Sequence, residues 1–127
     1  MKYMLLICRD EPVWGKLSVA ERQQIYAETV TLADELTARG QYLGGSPLHP
    51  ASSATSIRVR DGKRLVTDGP FAETREQLGG FFMIDAKDLD EAIRVAARIP
   101  GACVGTIEIR PVMEITGLPE GKDTLLL

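Results

Sequence analysis

At 127 residues the chain can bury one sizeable core, and nothing in it marks a second domain. Apolar residues make up 44% and charged residues 26%, ordinary for a globular protein; the net charge of −3, with the Lys and Arg scattered along the chain, excludes the basic stripe of a nucleic-acid binder. No apolar run reaches the ~20 residues of a membrane span, and the opening run is too short for a secretion signal and ends at once in charge, so the expectation is a cytoplasmic protein.

Tyr3 to Cys8 is an unbroken apolar run, the pattern of a central strand covered on both faces. Arg9-Asp10-Glu11-Pro12 stops it, and a polar loop carrying Trp14, as a lid or dimer contact, is expected through Lys16. Ser18-Val19-Ala20-Glu21 reads as a capping box that opens a helix. Ile25, Thr29, Leu32 and Leu36 follow at helical spacing, and Gly40 supplies the left-handed residue that ends it. Tyr42 starts a second strand that breaks at Pro47 and Pro50.

Thr55 to Arg60 alternates, with Thr55, Ile57 and Val59 on one face and Ser56, Arg58 and Arg60 on the other. Asp61-Gly62 is a two-residue hairpin turn, and Arg64 to Thr67 returns as its partner strand. A polar stretch, Asp68 to Glu76, leads to an apolar strand over Gly80 to Ile84. Asp88 caps a second helix with Leu89, Ala92, Ile93 and Ala96 on one face; Ile99-Pro100-Gly101 ends it, and Cys103 to Ile109 forms a last strand. Cys8 and Cys103 both fall in strand-like runs, so two buried, reduced thiols are expected rather than a metal or disulfide site.

This order specifies an α+β domain with one antiparallel sheet and two helices on one face. Tyr3 to Cys8 and Phe81 to Ile84 are apolar on both faces, so the side without helices asks for cover, and a second copy of the chain is the economical one. A homodimer is the expected state.

Candidate functional residues gather in Asp68-Gly69-Pro70-Phe71-Ala72-Glu73-Thr74-Arg75-Glu76. A chain reversal needs only Gly, Pro and a few polar residues, whereas this stretch sets carboxylates, a hydroxyl, a guanidinium and an aromatic ring together. Asp68, at a strand end, is the candidate general base if burial raises its pKa; its bland alternative is a carboxylate bonded to its own turn amides. His49, the single imidazole, sits in a loop between Pro47 and Pro50 and is the second acid–base candidate, against a surface role. Phe71 is a substrate wall or a core plug. Glu73, Thr74 and Arg75 could grip a carboxylate or hydroxyl, though Arg75 could equally neutralise Glu76. Arg9 leaves the first strand where a cleft could open. Gly79-Gly80 allows close backbone approach but has no phosphate-loop spacing. No cluster specifies a metal, and no cofactor is expected.

Asp68 to Glu76, continued by Gln77-Leu78-Gly79-Gly80-Phe81-Phe82, resembles the signature of the DGPF proteins, a branch of the YCII-related family. The resemblance extends through Arg58-Val59-Arg60-Asp61-Gly62, Asp88-Leu89-Asp90-Glu91-Ala92 and Ile107-Glu108-Ile109-Arg110-Pro111-Val112, and so covers most of the chain. It implies a ferredoxin-like two-layer sandwich over residues 1–116 that pairs as a dimeric α/β barrel; residues 117–127 read from the sequence itself as a C-terminal tail, which could pack on the dimer partner. More distant members are thought to use a His and an Asp as an acid–base pair, but their His has another sequence setting and that role is not carried to His49. Three functions remain open: a cofactor-independent enzyme acting on a small polar or aromatic compound near the DGPF loop, a non-catalytic ligand-binding or regulatory module, and a protein-interaction subunit linked to transcription regulation.

Overall fold

Tyr3, Leu5 and Ile7 point to one side of strand β1 (Lys2–Arg9) and are buried, whereas Met4, Leu6 and Cys8 point to the other and are only half-buried. That asymmetry organises the protein, a computed structural model of which describes residues 1–121. β1 pairs antiparallel with β5 (Gln77–Asp85) on one side and β6 (Gly105–Pro111) on the other; β2 (Tyr42–Pro47) pairs antiparallel with β5, giving the order β2-β5-β1-β6. Two long helices, α2 (Val19–Ala38) and α3 (Leu89–Arg98), lie on the face of Tyr3, Leu5 and Ile7. The core joins those residues to Phe82 and Ile84 of β5, Leu32 and Leu36 of α2, and Ala92, Val95 and Ala96 of α3.

Local signals explain the ends. Ser18 Oγ accepts from the Glu21 amide and the Glu21 carboxylate accepts from the Ser18 amide, so the capping box is complete. Gly40, at φ 72°, takes the left-handed conformation that closes α2. Asp61 and Gly62, at φ 51° and 73°, form the primed turn of a hairpin. Its strands, β3 (Thr55–Arg60) and β4 (Lys63–Asp68), pair Ile57 with Val66 and Arg58 with Leu65. They make a two-stranded sheet of their own, apart from the main one.

Four expectations require correction. Glu11–Gly15 is a short helix, α1, rather than a loop; Asp10 Oδ1 accepts from the Val13 amide, and Pro12 occupies the first turn, where its missing N–H costs nothing. On α3 the buried stripe is Ala92, Val95 and Ala96, continued by Ile99, while Leu89 and Ile93 are exposed. Cys103 is exposed in a 3-10 turn, Pro100–Cys103, and β6 begins only at Gly105, whose lack of a side chain lets it lie against the Cys8 carbonyl. The expected single antiparallel sheet is two: the hairpin stands apart from the main sheet, and among the described residues no second layer covers Ile57, Val59, Leu65 and Val66, which are all exposed. The expected tail, residues 117–127, lies mostly outside the described residues.

Candidate functional site

Leu32 and Leu36 of α2 pack into the core with Ala33 against it, but one and two turns before Leu32 and Leu36 the positions that line a space over the sheet are Thr29 and Ile25, together with Gly45 and Gly80. Small residues facing glycines leave a gap of about 190 Å³ between helix and sheet. Gly45 cannot be enlarged: a Cβ there would meet the Phe81 carbonyl oxygen at 2.6 Å and the Tyr42 hydroxyl at 2.7 Å. The Tyr42 ring packs edge-on against Phe82, with centroids 5.2 Å apart, and burial pushes its phenol pKa up.

Arg9 stands at the mouth. Between Ile7 and Cys8 the β1–β5 register slips by one residue, leaving Gly79 as a bulge against which the Arg9 side chain lies. Arg9 Nη2 donates to the Gly79 carbonyl at 2.8 Å, and the Leu48 amide donates to the same oxygen at 2.9 Å. The guanidinium carbon lies 4.1 Å from the Trp14 ring centroid, a cation–π contact, and Trp14 meets Tyr26 of α2 edge-to-face at 5.7 Å. Arg9, Trp14 and Tyr26 thus form a partition. The apolar cavity lies on one side, and a wider cleft carrying His49, Glu11 and Arg22 lies on the other.

The neighbouring acids are turned away from Arg9. Asp10 caps α1 and receives Arg75 Nε at 3.4 Å, and Glu11 Oε1 accepts from the Ala51 amide at 2.7 Å. Among the described residues no carboxylate forms an ion pair with Arg9.

A model of the YCII-related domain matches residues 1–116 of this chain. The chain belongs to the YCII-related family. It is also 34% identical over 114 residues, 88% of this chain and 92% of the relative, to an uncharacterised protein of Rhizobium meliloti (strain 1021).

Within this YCII-related domain the residues singled out from sequence fall into two groups. Arg9 and His49 line one cleft. Asp68, Phe71, Glu73, Thr74 and Arg75 line neither that cleft nor the cavity. Asp68 ends β4 opposite Thr55 and is exposed; Phe71 is 82% exposed. Thr74 Oγ1 donates to the Glu76 carbonyl, and Arg75 reaches Asp10 rather than Glu76, whose carboxylate accepts from Thr106. Sequence reading did not find Tyr26, Thr29, Tyr42 or Gly45 as site residues. The available signal was the pair of small residues, Thr29 and Ala33, in the apolar stripe of α2. No helix among the described residues is long and apolar enough to cross a membrane.

Proposed function

We propose that this chain is a ligand-binding domain of the DGPF branch, ferredoxin-like in fold, whose small-molecule site is the cavity beneath α2. One observation carries the reading: an apolar space of about 190 Å³, floored by glycines, opens beside a half-buried arginine that has no acidic partner among the described residues. Sites for small molecules combine an apolar lining with a few placed polar groups, and this space has both. Filling it is the test. Thr29→Phe places a ring in the gap from a helix position whose hydroxyl only bonds back to the Ile25 carbonyl. A thermal-shift screen of small aromatic compounds should give hits with the wild-type chain and none with Thr29→Phe. Equal shifts in both proteins would remove the cavity as the site.

Pairing as a dimeric α/β barrel belongs to the same proposal. The helix-free face of the sheet presents Met4, Leu6 and Phe81 in adjacent register, and the hairpin arm presents Ile57, Val59, Leu65 and Val66 to water. A lone two-stranded hairpin is marginal in water. A second copy laid against the sheet covers the first set, and the two arms closing around it cover the other.

A catalytic version of the reading takes His49 and Asp68 as acid–base groups. The placement of His49 in the cleft that shares Arg9, Trp14 and Tyr26 with the cavity favours its half of that version. Turnover of a bound compound that vanishes in His49→Gln, with binding intact, would convert the binding module into an enzyme.

A further inference from the structure

The geometry points to a ligand class: we propose that the cavity takes a small aromatic or similarly flat apolar monocarboxylate, ring inward, with its carboxylate on Arg9. This rests on the cavity being the site and adds what fills it. A guanidinium carries five N–H donors in a planar fork. One is used, on the Gly79 carbonyl, and one face of the plane is covered by Trp14. The remaining in-plane donors have the geometry that receives a carboxylate through two parallel hydrogen bonds.

The other polar groups on the lining are neutral: Thr29 donates to the Ile25 carbonyl and Ser46 to the Pro47 carbonyl, while the Tyr26 and Tyr42 hydroxyls and the Trp14 N–H can add a neutral hydrogen bond but no charge. Arg9 is the single charged residue of the lining, which matches one negative charge and leaves a phosphate dianion half-neutralised. Arg22 borders the outer cleft and not the cavity.

Size narrows the class further. An apolar cavity of about 150 Å³ in another protein is known to hold one benzene. At about 190 Å³ this one has room for a single six-membered ring and its substituent, and none for a nucleotide or a fused multi-ring cofactor. Ile7, Ile25, Val30 and Phe82 supply ring contact, so ring burial and charge pairing act at opposite ends of one small molecule.

Titration calorimetry with benzoate and phenylacetate, each beside its neutral partner benzamide or phenylacetamide, tests the assignment on the full chain. The acids should bind at least tenfold more tightly than the amides. Arg9→Gln should cut that preference to about twofold, and Arg9→Lys, which keeps the charge and loses the fork, should fall between. Far-ultraviolet dichroism matching wild type shows each variant folded. Amides that bind as well as the acids, or a preference that survives Arg9→Gln, would overturn the carboxylate assignment and leave the cavity reading standing. Binding of neither set by a folded wild-type chain would overturn both.

Discussion

Leu6→Lys tests the pairing of two chains without disturbing the single one. Leu6 lies mid-strand on the helix-free face, opposite Phe81 on β5 and Glu108 on β6. In an isolated chain a lysine at this position meets water and the Glu108 carboxylate, so folding should be nearly unaffected. In a two-fold dimer the position is buried twice. Leu6 is already half-buried in the single chain, so a partner covers only about a third of it, worth about 0.5–1 kcal/mol per copy and about 1–2 kcal/mol for two, before the added cost of burying two lysine charges together. At about 1.4 kcal/mol per decade the dimer dissociation constant should rise by about one decade from the lost apolar contact alone, and further from the buried charges. Sedimentation equilibrium over a concentration series reads this directly: wild type at twice the chain mass, Leu6→Lys at the chain mass, both with native dichroism. A wild-type monomer at all concentrations, or a Leu6→Lys dimer of unchanged affinity, would refute the argument that this face is covered by a second copy.

Hydrogen exchange of residues 55–68 should be slow in wild type and fast in Leu6→Lys if the hairpin arms are held by the partner; fast exchange in a proven dimer would leave the arm free. Leu36→Ala, at a side chain with no exposure, should cost about 2–5 kcal/mol in a denaturant titration, and a loss below 1 kcal/mol would contradict the packing of α2. With iodoacetamide, exposed Cys103 should label before Cys8. Burial, with the Glu108 and Glu76 carboxylates adding to it, pushes the Cys8 thiol up, so its labelling should keep accelerating to more alkaline pH than a free thiol. The sign for stability is that of an acid held protonated: the contribution of Cys8 is complete below its unfolded pKa and is lost as pH rises through the folded one. Faster labelling of Cys8 than of Cys103 at neutral pH would contradict this.

Features governed by a few adjacent residues were legible in the sequence. The Ser18–Glu21 capping box, Gly40 beyond α2 and the Asp61-Gly62 turn each act within one turn of chain, and each stands where the residues place it. The unbroken apolar run of β1 reads as a strand covered on both faces; in the single chain Tyr3, Leu5 and Ile7 are buried, while Met4, Leu6 and Cys8 are only half-buried. The misses have the opposite character. Pro12 reads as a breaker unless Asp10 is recognised as a cap two residues before it, which makes the proline a first-turn residue. Leu89 and Ile93 satisfy helical spacing, yet tertiary packing chose the neighbouring stripe of smaller residues, Ala92 and Ala96 with Val95. Arg9 was legible as a candidate because it ends a strand, and it lines both the cavity and the outer cleft. Tyr42 and Gly45 were not, because they reach the site only through the pairing of β2 with β5.

The cavity itself bears on whether the fold was shaped for a ligand. At ~24 cal/mol per Å³, an enclosed void of about 190 Å³ would forgo about 5 kcal/mol of stability, and an opening at Arg9 lowers that figure. A larger side chain at Thr29 would recover part of it, since that position lines the space from a regular helix. The same helix packs to full density one turn further on, where Leu32 and Leu36 are 3% and 0% exposed, so slack packing is not a general property of this layer. Gly45, by contrast, is fixed by the backbone that crowds it, and Gly79 by the Arg9 side chain that lies across it. Looser packing at one place, beside a guanidinium whose neighbouring acids are engaged elsewhere, fits the proposed binding site better than a general slackness of the layer.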